Sequence, residues 1–192
     1  DKQVETKLLE LQSVINQQDI KKNKKKLLIF TEARDTLEYL IEKIKSWGFT
    51  TTQIHGLMKM NDRIDAEKEF QNTAQILIAT EAAGEGINLQ FCSLMVNYDI
   101  PWNPNRLEQR MGRIHRYGQQ EEVFIYNLVA KDTREGSILI RLFEKMESMK
   151  DKLGSERVFD VIGEIWGGEK SLADLIMEAV TNQRSMDEIL KD

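Results

Sequence analysis

Ile76-Leu77-Ile78-Ala79, running directly into Thr80-Glu81-Ala82-Ala83-Gly84-Glu85-Gly86-Ile87-Asn88-Leu89, is the stretch on which the fold turns. Its first four residues are apolar, rich in β-branched side chains and bounded by Gln75 and Thr80, which suits a strand buried on both faces of a parallel sheet. Small residues and glycines placed after such a strand let backbone N–H groups approach a phosphate or a sugar. In open α/β sheets the carboxyl ends of strands are also where ligands bind. Gly84-x-Gly86 taken alone is weak evidence, because many strand ends turn on glycine without binding anything.

Downstream, Leu94-Met95-Val96-Asn97-Tyr98 reads as a second strand. It leads through Asp99-Ile100-Pro101-Trp102-Asn103-Pro104 into a helix, with Pro104 in the first turn, where proline is tolerated. At about 100° per residue, Gln109, Arg113 and Arg116 share one narrow sector, with Arg106 near it. Leu107, Met111 and Ile114 face the other way, and Gly112 leaves a gap for close approach. Guanidinium is a planar fork of donors that stays charged and matches phosphate geometry. The set predicts a clamp on a polyphosphate, with an arginine placed to neutralise charge that develops in phosphoryl transfer. An amphipathic surface helix with solvated or salt-bridged arginines would carry the same pattern.

Upstream, Leu27-Leu28-Ile29-Phe30-Thr31 is an apolar strand, and Leu37, Leu40, Ile41 and Ile44 recur at helical spacing up to a stop at Gly48. Thr50 to Ile54 reads as a strand ending in His55-Gly56. Asn61 to Phe70 reads as a helix, with Asn61 as its N-cap and Ile64 and Phe70 among its apolar positions. Val123 to Leu128 supplies a further strand. Such alternation predicts a parallel sheet covered on both faces, with right-handed crossovers. Residues 1–25 read as an amphipathic helix (Val4, Leu8, Leu11, Ile15) and a solvated connector, Lys21-Lys22-x-Lys24-Lys25-Lys26. Residues 26–132 read as the α/β unit. Residues 133–192 read as a helical extension, with a long helix from Arg134 to Leu153 closed by Gly154.

A chain of 192 residues with 41% hydrophobic residues can bury a core large enough for one domain and an appendage. The formal net charge of −5 excludes a general nucleic-acid coat but not a motor that grips a backbone through a few local donors. Cys92 is the single cysteine, which rules out an internal disulfide and predicts a reducing compartment, cytoplasm or nucleus. It sits among apolar residues, as a small core side chain does. His55 and His115 stand far apart with no cysteine or carboxylate cluster at ligand spacing, so no metal site of the chain's own is expected. No apolar stretch approaches the ~20 residues that span a bilayer. Asp1 in place of a methionine predicts a piece of a longer chain. Gly163-x-x-x-x-Gly168-Glu169-Lys170-Ser171 mimics a phosphate loop, but Glu169 would put a carboxylate where anions must bind. Asp187-Glu188 mimics an acidic magnesium pair without a buried strand before it.

Three phrases together carry a resemblance: Ala79 to Leu89; then Tyr98-Asp99-x-x-Trp102-Asn103-Pro104; then Gln109-x-x-Gly112-Arg113-x-x-Arg116-x-Gly118-Gln119. They resemble motifs V and VI of superfamily 2 helicases. More closely, they resemble Swi/Snf-type DNA translocases and the related bacterial RNA-polymerase-recycling ATPases. The likeness runs from about Lys26 to Val129, and Leu27–Thr31 with its following helix resembles motif IV. It implies the second, C-terminal RecA-like lobe of such a motor: an α/β fold with a RecA-like parallel sheet, helices on both faces, and a C-terminal helical extension.

The resemblance also implies roles for particular residues. Arg113 and Arg116 would be fingers completing an ATP site, Gln109 would watch the γ-phosphate, and Gly84, Glu85, Gly86, Asn88 and Gly112 would lie by the nucleotide. Thr31, Gly56, Arg63 and Thr80 would contact the nucleic-acid backbone. ATP with Mg would be held by a first lobe of the same polypeptide, so the isolated chain is expected to be inactive. DNA, duplex rather than RNA, is the implied track, favoured by Trp102-Asn103-Pro104 and His115-Arg116-x-Gly118-Gln119. RNA polymerase is the protein target that the recycling ATPases imply. An RNA helicase lobe and a non-catalytic scaffold are the competing classes.

Overall fold

The structure, a computed structural model, describes residues 2–81, 89–101, 104–114 and 121–130, together with 136, 137 and 140. The chain divides into two units, residues 1–100 with 109–128, and residues 101–108 with 129–192. In the first unit, helix α1 (Lys2–Gln17) and the short α2 (Ile20–Asn23) precede strand β1 (Leu27–Thr31) and helix α3 (Arg34–Ser46). Strand β2 (Thr51–Ile54), helix α4 (Met60–Asn72) and strands β3 (Ile76–Thr80), β4 (Leu94–Asn97) and β5 (Phe124–Asn127) follow. Helix α5 (Pro104–Met111) begins in the second unit and ends in the first. Of the predicted helix from Arg134 to Leu153, only 136, 137 and 140 are described, and all three are helical. Its end at Gly154, the two decoy motifs and the rest of the extension lie outside the described residues.

All five strands are parallel, in the order β2-β3-β1-β4-β5. β1 is central, pairing Leu27 with both Ile76 and Leu94 and Thr31 with Thr80. The fold is therefore the parallel sheet that the strand pattern predicts, in the RecA-like form that the resemblance implies. Alternation along each strand divides the core in two. Leu27, Ile29, Ile76, Ile78, Leu94 and Val96 face one layer, with Leu11 and Ile15 of α1 and Leu37, Leu40 and Ile44 of α3. Leu28, Phe30, Leu77, Ala79 and Met95 face the other, with Ala66 and Phe70 of α4 and with Leu89, Cys92 and Ile114. α1 thus shares its core with the sheet.

Local chemistry sets the helix ends. Gly48 takes φ 80°, and the amides of Gly48 and Phe49 donate to the carbonyls of Lys45 (2.9 Å) and Ile44 (3.3 Å). Those two bonds close α3 with a Schellman turn, which favours glycine. α4 begins one residue before the sequence reading placed it. Lys59, with φ −68° and ψ 158°, occupies the cap without a side-chain bond, so Asn61 is inside the helix and is not its N-cap. Ile64 is 39% exposed, because Ala66 and Phe70, one turn apart, fix which face of α4 points inward.

The lysine-rich connector folds back on the protein. Lys21 Nζ lies 4.5 Å from the Phe49 ring centre, and Lys26 Nζ donates to the Ala74 carbonyl at 2.7 Å. Burial lowers the Lys26 pKa, with the nearby Cys92 working the other way.

Cys92 is fully buried, and its thiol donates to the Lys26 and Leu94 carbonyls, each at 3.2 Å. Burial pushes its pKa from 9.0 up to about 12. The folded state therefore keeps a proton that the unfolded chain releases. Stability from this source is complete below about pH 9 and is lost as pH climbs toward 12. Urea melts between pH 8 and 11 are expected to show that decline, and Cys92→Ala should flatten it. An unchanged slope in the variant would rule the thiol out as its source. Among the described residues no helix is long and apolar enough to cross a membrane.

Candidate functional site

Parallel pairing sends every strand's carboxyl end to one edge of the sheet, the edge where open α/β folds place ligands. That edge carries Gly56 just beyond β2, Thr80 at the end of β3, Thr31 at the end of β1, Asn97 and Asp99 at and after β4, and Asn127 at the end of β5. Thr31 and Thr80 are register partners on adjacent strands, and both are buried. Arg63 of α4 donates from Nη2 to the Gly56 carbonyl at 3.0 Å and from Nε to the Met58 carbonyl at 3.2 Å. The structure thus joins Gly56 to Arg63 and Thr31 to Thr80, two pairs that the sequence placed in one role.

The Thr31 hydroxyl is occupied, donating to Asp99 Oδ2 at 2.6 Å. The Glu32 amide donates to the same oxygen at 3.4 Å. From α1, Lys7 Nζ reaches Asp99 Oδ1 at 3.3 Å and the Tyr98 carbonyl at 3.0 Å, and it lies 5.3 Å from the Tyr98 ring centre. Asp99 therefore ties the first helix, the end of β1 and the end of β4 in one knot. Burial pushes the Tyr98 phenol up to about 12, aided by the neighbouring Asp99 and then by Tyr39.

The arginine segment differs in shape from a continuous helix. α5 ends at Met111, and the chain turns through Gly112, Arg113 and Ile114 with amide bonds from Arg113 to Arg110 O (3.1 Å) and from Ile114 to Met111 O (3.2 Å). Gly112, a poor helix residue, starts that turn. The Arg113 carbonyl is taken by the Leu89 amide at 3.2 Å and so lies outside the helical ladder. Ile114 still reaches the core, so the apolar spacing holds although the helix does not. Gln109 and Gly112 are exposed and Arg113 is half-buried. Leu89 immediately follows the predicted nucleotide turn, so its bond to Arg113 brings the two predicted nucleotide-side segments together. Gly84, Glu85, Gly86 and Asn88 themselves, and Arg116, lie outside the described residues.

The sequence reading missed Arg110. Its side chain is 2% exposed, with Nη1 donating to Asn97 Oδ1 at 3.2 Å and to the Asp99 carbonyl at 2.7 Å. Nη2 lies 3.7 Å from Glu81 Oε2, and the guanidinium sits 5.1 Å from the Phe30 ring centre. Asn97 in turn donates from Nδ2 to Asn127 Oδ1 at 2.8 Å, linking β4 to β5. A signal was present in the sequence. Asn97, ending an apolar strand, is a polar group buried among strands that needs a partner, and Arg110 is a donor within one short connection.

The helicase conserved C-terminal domain family matches residues 6–118. A Bacillus subtilis (strain 168) protein named Uncharacterized ATP-dependent helicase YqhH is 43% identical over 166 residues, covering 85% of this chain and 29% of that protein. The human Chromatin-remodeling ATPase INO80 is 36% identical over 125 residues, covering 64% of this chain and 8% of its own length. The chain thus spans less than a third of these relatives. Among solved structures, the C-terminal part of the Fun30 ATPase domain superposes with a TM-score of 0.63 at 23% identity, covering 82% of this chain and 54% of that one. The Pyrococcus furiosus Hef helicase domain superposes with a TM-score of 0.56 at 24% identity, covering 70% and 28%. At those identities both likenesses speak for the fold.

Proposed function

The chain belongs to the helicase conserved C-terminal domain family, as a C-terminal lobe of the Swi/Snf type within superfamily 2, and we propose that it is the second motor lobe of an ATP-dependent DNA translocase. In this reading a first lobe holds ATP and Mg, and Arg113 and Arg116 reach the triphosphate when the lobes close. Gln109 senses the γ-phosphate beside them. The turn from Gly84 to Asn88, with Gly112, lines the nucleotide. The rim formed by Gly56, Arg63, Thr31 and Thr80 grips the backbone of the tracked strand, with Thr31 acting through its main chain because its hydroxyl is committed to Asp99.

The observation that carries the proposal is the Leu89 to Arg113 main-chain bond. It joins the end of the glycine turn to the arginine turn. Arginines held there cost no reorganisation when charge develops on a transferring phosphoryl group. ATP-driven closure would then move the lobes along the strand as a hinge coupled to phosphate state.

The test is ATP hydrolysis by a polypeptide carrying both lobes, measured with duplex DNA, single-stranded DNA and RNA. Duplex DNA is expected to stimulate most, and the 192-residue chain alone is expected to show no turnover. Strongest stimulation by RNA would instead assign an RNA helicase lobe, and hydrolysis indifferent to every nucleic acid would overturn the motor reading.

A further inference from the structure

The geometry points to Arg110 as a positioning residue that sets where the neighbouring Gln109 and Arg113 stand relative to the strand ends; this inference rests on the motor reading. Arg110 lies between them in sequence yet turns the opposite way, into the protein. A guanidinium at 2% exposure is retained only where fixed partners compensate its lost hydration. Here the partners come from three strands: the Asn97 side chain and Asp99 carbonyl after β4, Glu81 just past β3, and the Phe30 ring on β1.

Those partners are themselves fixed. Asn97 is bonded to Asn127 on β5, and Asp99 accepts from Thr31 and Lys7. Glu81 is the residue from which the predicted nucleotide turn departs. One side chain thus connects the segment bearing the fingers to the end of β4 and to the start of that turn. A planar fork can serve such divergent acceptors at once, whereas an ammonium is a point charge on a flexible stem. Arg110 touches no reacting atom in this scheme; it holds in place the backbone from which Arg113 projects. A misplacement of about 1 Å at a finger can cost roughly 100-fold in rate.

The test uses the polypeptide carrying both lobes, with DNA-stimulated ATP hydrolysis resolved into kcat and KM and with the folded fraction measured by circular dichroism at the assay temperature. Arg110→Lys is expected to lower kcat by about 30-fold or more while KM for ATP stays within about threefold. Asn97→Ala leaves Arg110 with the Asp99 carbonyl, Glu81 and the Phe30 ring, so a smaller drop in kcat, again without a matching change in KM, is expected. A wild-type kcat in Arg110→Lys, or a loss no larger than its unfolded fraction, overturns the inference. If Arg110→Lys does not fold, Asn97→Ala decides: a lowered kcat at constant KM supports the inference and an unchanged kcat overturns it. Arg113→Ala run in parallel separates the two levels. If that variant keeps its activity the finger role proposed for Arg113 fails, whereas a dead Arg113→Ala beside a normal Arg110→Lys sinks only the positioning role.

Discussion

Replacing Arg116 or Arg113 with alanine, in a polypeptide carrying both lobes, is expected to lower ATP turnover by about 10³- to 10⁵-fold, while KM for ATP moves far less. The asymmetry follows from where the charge is needed. A finger meets the triphosphate from across the cleft and gains most from the charge that spreads over the transferring phosphoryl group, so its loss raises the barrier more than it weakens binding. Arg113 has the firmer structural basis, because its carbonyl is bonded to Leu89 and its amide to Arg110. Lysine at either position should recover little, since one ammonium cannot reproduce bidentate contact with phosphate oxygens. Steady-state kinetics within a few-fold of wild type for both alanine variants would remove the fingers from the mechanism.

The largest expected loss of stability comes from Phe70→Ala. Phe70 is fully buried and anchors α4 to the sheet layer that includes Leu28, Leu77 and Met95, with its ring 5.4 Å from that of Phe91 at 55°. Emptying such a site costs about 3–5 kcal/mol, or a melting temperature lower by roughly 10 °C or more. Ile64→Ala on the same helix removes a side chain that is 39% exposed and is expected to change stability by about 0.5 kcal/mol or less. Comparable losses in the two variants would mean that the packing of α4 is not as described.

β1, β3 and β4 were legible because each is a short apolar run buried along its whole length, which no surface element requires. Leu27–Thr31 was read with its observed bounds, and Ile76–Ala79, Leu94–Tyr98 and Thr50–Ile54 each differ by one residue at one end. Gly48 was legible as a helix stop because only a residue at ease with positive φ closes that turn cheaply. What escaped depends on contacts between distant segments. The spacing of Leu107, Met111 and Ile114 suits a helix, yet α5 ends at Met111 and a turn begins at Gly112, with the Arg113 carbonyl taken by the distant Leu89 amide. Asn61 looks like a cap, but tertiary packing places the start of α4 at Met60. Among the candidate site residues, the position of Thr31, Gly56 and Thr80 at or just past strand ends was legible, whereas the commitment of Thr31 to Asp99 and the inward turn of Arg110 were not. A helical wheel records where a side chain leaves the axis and says nothing of the acceptors waiting there.

The strand order also governs how the protein can be made. Among the described residues β1 hydrogen-bonds only to β3 and β4, and β2 only to β3, so no ladder among them forms until Ile76 and its successors have been synthesised. A nascent chain released before that point carries Leu27–Phe30 as an unpaired apolar segment, the kind that draws chaperones or aggregates. Premature stops between Ile54 and Ile76 should therefore yield insoluble product on the ribosome's far side, and productive folding awaits the closure of long loops, which makes it slow.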